Sequence, residues 1–312
     1  MNKAETVLYK LFMKYRKYLS RRTKLIINKA HFKLYGRKMP WSFLRFEVHL
    51  TDKCNLNCAG CLHFSSLCEQ INFLDIKNYE NDCRRISELT NGKISYIELL
   101  GGEPLLHPDV TRFLAITRKY FPELNISNQT GIIELVTNGI LLHEQSDDFW
   151  DICKKNNIRI VISNYPVKIK YEIIKEKALN FNVELRMYKD KIMLKEGGSA
   201  SQWAKIPIDI NGLQNNKESF GKCFLAGICF QLAGGKIYKC ARIAYINYFN
   251  AAFDKLLNID ENDYVDIYKV ENINEILFQL TKPASFCRYC KADNITWDNK
   301  WNVSKRILDE YI

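Results

Sequence analysis

An α/β fold on a parallel sheet is predicted by three observations. From Phe46 onward, short strand-like runs alternate with longer stretches of helical period. The strand-like runs end on polar or glycine-containing loops. Those strand ends also hold the residue types that bind cofactors, as parallel barrels do at the C-terminal ends of their strands.

The elements follow in chain order. Residues 1–38 read as helical, with Leu8, Leu11, Phe12, Tyr15 and Leu19 at helical spacing and Lys10, Lys14 and Lys17 between them. "FEVHL" from Phe46 alternates apolar and polar residues and runs into a cysteine loop. Ile76, Tyr79, Cys83, Ile86 and Leu89 mark a helix over 76–89. "SYIELLGG" (95–102) reads as a buried strand closing on two glycines. A helix near 109–121 leads to the strand "IIELVTNG" (132–139), and a helix near 143–155 to "IRIVISN" (158–164). A helix near 168–180 then precedes "VELRMY" (183–188). "KEGGSASQW" (195–203) reads as a loop or boundary. Beyond it, "CFQLAGGKIYKC" (229–240) signals a hairpin around Gly234-Gly235, followed by helices near 246–257 and 272–280 and by "CRYC" at 287–290.

Composition bounds the class. With 312 residues, 47% of them hydrophobic, the chain suffices for about two domains. No apolar run is long enough for a spanning helix, and the N-terminus lacks the uncharged core of a signal peptide. A cytoplasmic protein is therefore expected, in which clustered cysteines among the eleven present are metal ligands before they are disulfides. Residues 1–38 carry twelve Lys and Arg against one Glu, which accounts for the whole net charge of +11. The arm is expected to pack on the body through its apolar stripe or to lie peripherally on an anionic membrane; nucleic acid is the least favoured partner.

Cys54, Cys58 and Cys61 sit on one short loop, where three thiolates can face one metal centre. Spacing alone leaves zinc open, with Cys68 or His63 as a fourth ligand, beside an iron–sulfur cluster with one open iron. About 40 residues on stands Gly101-Gly102-Glu103-Pro104, where two glycines permit close backbone approach beside a carboxylate. Together these residues resemble the radical S-adenosylmethionine (SAM) enzymes over roughly residues 45–190. The resemblance implies a partial (β/α)6 TIM-like barrel, a [4Fe–4S] cluster on the three cysteines, and SAM chelating the open iron. It further implies that Gly101, Gly102, Glu103 and Pro104 bind the methionyl amino group, with Asn138 and Ser163 as further SAM contacts. A one-electron reductant such as flavodoxin or ferredoxin then drives cleavage to a 5′-deoxyadenosyl radical, which takes a hydrogen atom from the substrate. One departure is visible: where the family often has an aromatic residue before the third cysteine, this chain has Gly60, so Leu62, His63 or Phe64 would have to supply that contact. Cys68 falls outside the motif and reads as a buried thiol, as do Cys83 and Cys153 on helices.

A second set, Cys223, Cys229, Cys240, Cys287 and Cys290, fits a zinc ribbon by spacing. It also resembles the auxiliary-cluster domains of radical SAM enzymes, the SPASM and shorter twitch types, which implies a second [4Fe–4S] cluster. Cys223, Cys240, Cys287 and Cys290 fit the short form best, with Cys229 able to replace Cys223 or to be the fourth ligand of a rearranged site. The expected organisation is a basic helical arm (1–42), a radical SAM partial barrel (43–210) and a small α+β twitch-like domain (211–312). The cysteine layout resembles that of 2-deoxy-scyllo-inosamine dehydrogenases, which implies an oxidoreductase or epimerase acting on a sugar, cyclitol or similar polar molecule. A peptide-modifying radical SAM enzyme is the alternative, and a zinc or iron–sulfur protein binding nucleic acid is the second. No catalytic base is named by the sequence.

Overall fold

The structure is a computed structural model that describes residues 3–15, 21–38, 44–123, 131–188 and 202–312. Its elements are α1 (Lys3–Tyr15), α2 (Arg21–Tyr35), β1 (Leu44–Thr51), α3 (Ile76–Thr90), β2 (Ile94–Gly101), α4 (Val110–Tyr120), β3 (Ile132–Thr137), α5 (Asp147–Lys155), β4 (Arg159–Ser163), α6 (Tyr171–Asn180) and β5 (Leu185–Tyr188). Then follow β6 (Gln202–Lys205), α7 (Asn216–Lys222), β7 (Gln231–Ala233), β8 (Lys236–Tyr238), α8 (Ala241–Phe253), β9 (Tyr264–Asp266), α9 (Ile273–Leu280) and β10 (Thr296–Lys300). Most of the loop expected at 195–203 lies outside the described residues.

Strands β1 to β5 form a parallel arc with helices α3 to α6 as crossovers, the order of a partial TIM-like barrel. The arc carries five parallel strands in succession. A sixth parallel place lies at its other edge, where β7 pairs with β1 through Glu47 and Gln231. The β7–β8 hairpin and β9 continue the same sheet antiparallel, so the sheet runs across the boundary expected at 210/211.

Side-chain alternation sets the two faces. Phe46, Val48 and Leu50 of β1, with Ile97, Leu99, Ile133, Leu135, Ile160 and Ile162, are buried in one core with Tyr79, Cys83, Phe113, Trp150 and Cys153 from the helices. The opposite, concave face is polar. Glu47, Glu98, Glu134 and Arg159 stand in register across β1 to β4. Arg159 pairs with Glu134 at 2.7 Å, Tyr96 bonds Glu134, and Gln231 donates to Glu47. Burial and then the charge of Glu47 push the Glu98 carboxyl up to about 8.

Helix ends follow local chemistry. Asp75, Ser146, Asn215 and Asn272 cap α3, α5, α7 and α9 through their side chains. Helix α8 begins directly after Cys240 and ends at Asp254 in a left-handed turn (φ 49°), several residues earlier than its apolar pattern predicts. Arg242, a charged residue in its first turn, is buried because its guanidinium donates to the Ile206 carbonyl. An apolar pattern does not register that kind of burial.

The N-terminal arm packs on the C-terminal half. Phe32 lies against Phe220, Arg37 sits over Phe278, and buried Glu5 bridges His31 and Arg37. Among the described residues no helix is long and apolar enough to cross a membrane.

Candidate active site

Beyond β1 the chain turns through residues 52–68 and lies over the C-terminal ends of β2 to β4. A cavity of about 150 Å3 opens there. Cys54, Cys58 and Cys61 line it together with Gly101, Gly102, Asn138 and Ser163, so residues far apart in sequence converge on one space. Among the described residues no three His, Cys, Asp or Glu side chains converge on a single ion position; these thiols surround a volume instead.

The glycines have a backbone reason. A Cβ on Gly101 would stand 2.2 Å from the Thr51 carbonyl oxygen, and one on Gly102 would stand 2.2 Å from that of Lys53. Gly102 N–H donates to the Thr51 carbonyl and Glu103 N–H to that of Lys53, at 2.8 and 3.0 Å. The strand end and the cysteine loop are thus zipped backbone to backbone, which any side chain would prevent.

Glu103 and Pro104 lie buried behind that zip, outside the cavity lining. The Glu103 carboxylate accepts from Thr137 Oγ1 (2.7 Å), Asn138 N–H (2.8 Å) and Leu105 N–H (3.1 Å). Burial still pushes it up to about 7. In this state Glu103 ties the end of β3 to the end of β2. Asn138 is similarly engaged, donating to Asn55 Oδ1 at 2.7 Å and accepting from Ile140 N–H at 3.0 Å.

Burial raises all three loop thiols, Cys58 up to about 12. Donors approach all three sulfurs: Leu56 N–H reaches Cys54 at 3.3 Å, the Trp301 indole reaches Cys58 at 3.2 Å, and backbone N–H groups of His63, Phe64 and Ser65 serve Cys61. Such a donor set fits a cluster, since each thiol can become a thiolate ligand while small polar groups and backbone fill the rest of the wall. Cys68 is turned away; its thiol donates to the Gln70 carbonyl at 3.1 Å, and it does not line the cavity. Cys83 and Cys153 are buried in the helix–sheet core.

Of the residues able to replace the missing aromatic, His63 lines the cavity, whereas Phe64 is buried against Phe249 and Tyr311. At Gly60 (φ 64°) a Cβ would stand 2.9 Å from the Glu310 carbonyl oxygen, so the C-terminal turn occupies that space. The sequence reading missed a polar row here. Tyr248 donates to Asp52 Oδ2 (2.5 Å), Asp52 Oδ1 meets His49 Nδ1 (2.7 Å), and His49 Nε2 meets His63 Nδ1 (2.5 Å). Burial, then repulsion from His49, lowers His63 to about 3, so both rings are neutral at pH 7. An ionised Asp52 requires His49 Nδ1–H as donor. His63 must then donate through Nδ1, which leaves its Nε2 as an acceptor on the cavity wall. The only signal in the sequence was parity, with His49 two residues beyond Glu47 on the concave face.

The second cysteine set divides. Cys223 ends α7, Cys240 precedes α8, and Cys287 and Cys290 lie on the turn Ser285–Tyr289 and its cap. Burial, then repulsion from Cys290 and Cys223, raises Cys240 to about 12, and burial with repulsion from Cys290, Cys240 and Cys223 raises Cys287. Cys229 stands apart, beside Glu47 on the concave face. Cations surround the four: Arg242 approaches Cys290 Sγ at 4.0 Å, and Lys38 donates to the Cys223 and Ala226 carbonyls at 2.9 Å. Lys239, lowered to about 8 by burial, feels the charges of Asp263 and Cys287.

Residues 44–161 match the family described as a 4Fe-4S single cluster domain. Among curated relatives, the GTP 3′,8-cyclase of Geobacter sulfurreducens is 34% identical over 116 residues, which is 36% of this chain and 31% of the relative. That of Synechocystis is 29% identical over 150 residues, 47% of this chain and 40% of the relative. The chain thus spans less than half the length of these curated relatives. Among solved structures, BtrN in complex with AdoMet and 2-DOIA is similar at 16% identity, over 88% of this chain and 98% of that chain, with a TM-score of 0.48. The matched stretch, residues 44–161, contains the three cavity thiols and both glycines of the strand end, so the likeness to a 4Fe-4S single cluster domain falls on the residues that form the cavity.

Proposed function

We propose that this chain is a radical SAM oxidoreductase acting on a sugar, cyclitol or related polar small molecule. In this reading Cys54, Cys58 and Cys61 hold a cluster with an open iron. Gly101, Gly102, Asn138 and Ser163 frame SAM, with Glu103 and Pro104 fixing that frame from behind. The observation that carries the reading is the convergence of the three thiols, the glycine turn and two later strand ends on one cavity. When bound, the cluster and SAM supply a 5′-deoxyadenosyl radical. The protein's own part is to orient SAM and to keep the space dry and closed. We further propose a second [4Fe–4S] cluster on Cys223, Cys240, Cys287 and Cys290, supported by their mutual proximity and the surrounding cations.

The polar substrate is supported by the concave face. Leu100 and Val136, which line the cavity, lie two residues beyond Glu98 and Glu134 on the same face of β2 and β3. The row of Glu47, Glu98, Glu134 and Arg159 therefore lies one step below the cavity and offers hydrogen bonds to hydroxyls or an ammonium group. For residues 1–38, their net positive charge supports a peripheral contact with anionic membrane in addition to the packed helix.

The test is substrate-dependent radical chemistry. Reconstituted protein with SAM and a reductant should release more 5′-deoxyadenosine with an aminocyclitol or amino sugar, and carbon-bound deuterium should pass from that compound into the product. Stimulation by GTP alone, or by peptides alone, would contradict the substrate class.

A further inference from the structure

Residues 301–304 lie along the cysteine loop as a short antiparallel ladder. Ala59 N–H donates to the Asn302 carbonyl at 2.9 Å, Ser304 N–H donates to the Asn57 carbonyl at 2.7 Å, and Cys58 pairs with Val303 between them. The Asn57 side chain adds a bond to the Ser304 carbonyl at 3.2 Å. Farther on, the Glu310 carbonyl packs over Gly60 and the Tyr311 hydroxyl bonds Ser66 Oγ at 2.9 Å. The ladder sets Trp301 beside the loop, its ring centroid 6.5 Å from that of Tyr165, a residue of the cavity wall. Its Nε1–H reaches Cys58 Sγ at 3.2 Å.

An indole N–H can only donate. Donors to the sulfurs of an iron–sulfur centre favour its reduced, more negative form and so raise its potential. We propose that Trp301 is a positioning and tuning residue of the radical-generating centre: its N–H at Cys58 Sγ raises the reduction potential, and the 301–304 ladder holds it there. This rests on the reading that Cys58 is a cluster ligand. It makes the C-terminal segment part of the electron-accepting site, through a residue 243 positions from the cysteine it contacts.

Trp301→Phe retains a ring and removes the donor. In reconstituted full-length protein, an EPR-monitored redox titration of the cluster whose spectrum responds to SAM is expected to give a more negative midpoint for W301F than for the wild type. An unchanged midpoint overturns the proposal and leaves the cluster assignment standing. Should W301F fail to keep the cluster, the wild type grown with 15N-indole tryptophan decides. Pulsed EPR of its reduced, SAM-responsive cluster is expected to show a 15N coupling, and absence of that coupling overturns the proposal. Retention of the SAM-responsive cluster in Cys58→Ala would instead overturn the reading beneath it.

Discussion

Cys58→Ala is expected to reduce SAM cleavage to background while leaving the C-terminal half folded. The physical reason is the lack of a substitute. Three thiols line the cavity, and the next cysteine along the chain, Cys68, is buried with its sulfur bonded to the Gln70 carbonyl. His63, the one imidazole on the wall, already has its Nδ1 committed to His49. Two thiolates do not retain a cluster that normally takes three or four. Iron should fall from about eight to about four per chain, one [4Fe–4S] set, since the second cysteine group is separate. The check is 5′-deoxyadenosine release alongside iron content under anaerobic reduction; wild-type release from the variant would end the assignment.

The second large effect separates two members of the C-terminal group of five cysteines. Cys290→Ala should remove the other half of the iron and keep SAM cleavage within a few-fold, whereas Cys229→Ala should keep all of it. Cys290 shares its surroundings with Cys223 and Arg242. Cys229 faces Glu47, a carboxylate that would disfavour a thiolate beside it. Iron and acid-labile sulfide measured on the two variants decide the matter. Iron lost from Cys229→Ala and retained in Cys290→Ala would exchange their roles.

Much of this was legible because it is local or periodic. The strands from Phe46 to Tyr188 announce themselves by alternation or by apolar runs, and the cysteine loop and Gly101-Gly102 fall at their ends. The meaning of the glycines was only half legible. The sequence suggests close approach to a ligand, whereas the structure reveals a close approach to the backbone at Thr51 and Lys53. Other features depend on pairings across long stretches of chain. Strand β7 joins the sheet beside β1, an edge that no local pattern specifies. The row of Glu47, Glu98 and Glu134 needs the register of three strands. The Trp301 contact and the burial of Arg242 belong to tertiary packing. The GTP 3′,8-cyclase relatives were not foreseen from the residues, and their name describes whole proteins of which this chain covers less than half.

The central claim is that the cavity at Cys54, Cys58 and Cys61 generates a radical from SAM. Its most direct test is the wild-type protein, reconstituted anaerobically with iron and sulfide, reduced, and given SAM. The account predicts a SAM-responsive [4Fe–4S] EPR signal and the release of 5′-deoxyadenosine with methionine. Tightly bound zinc at these thiols, with no 5′-deoxyadenosine formed, would contradict it.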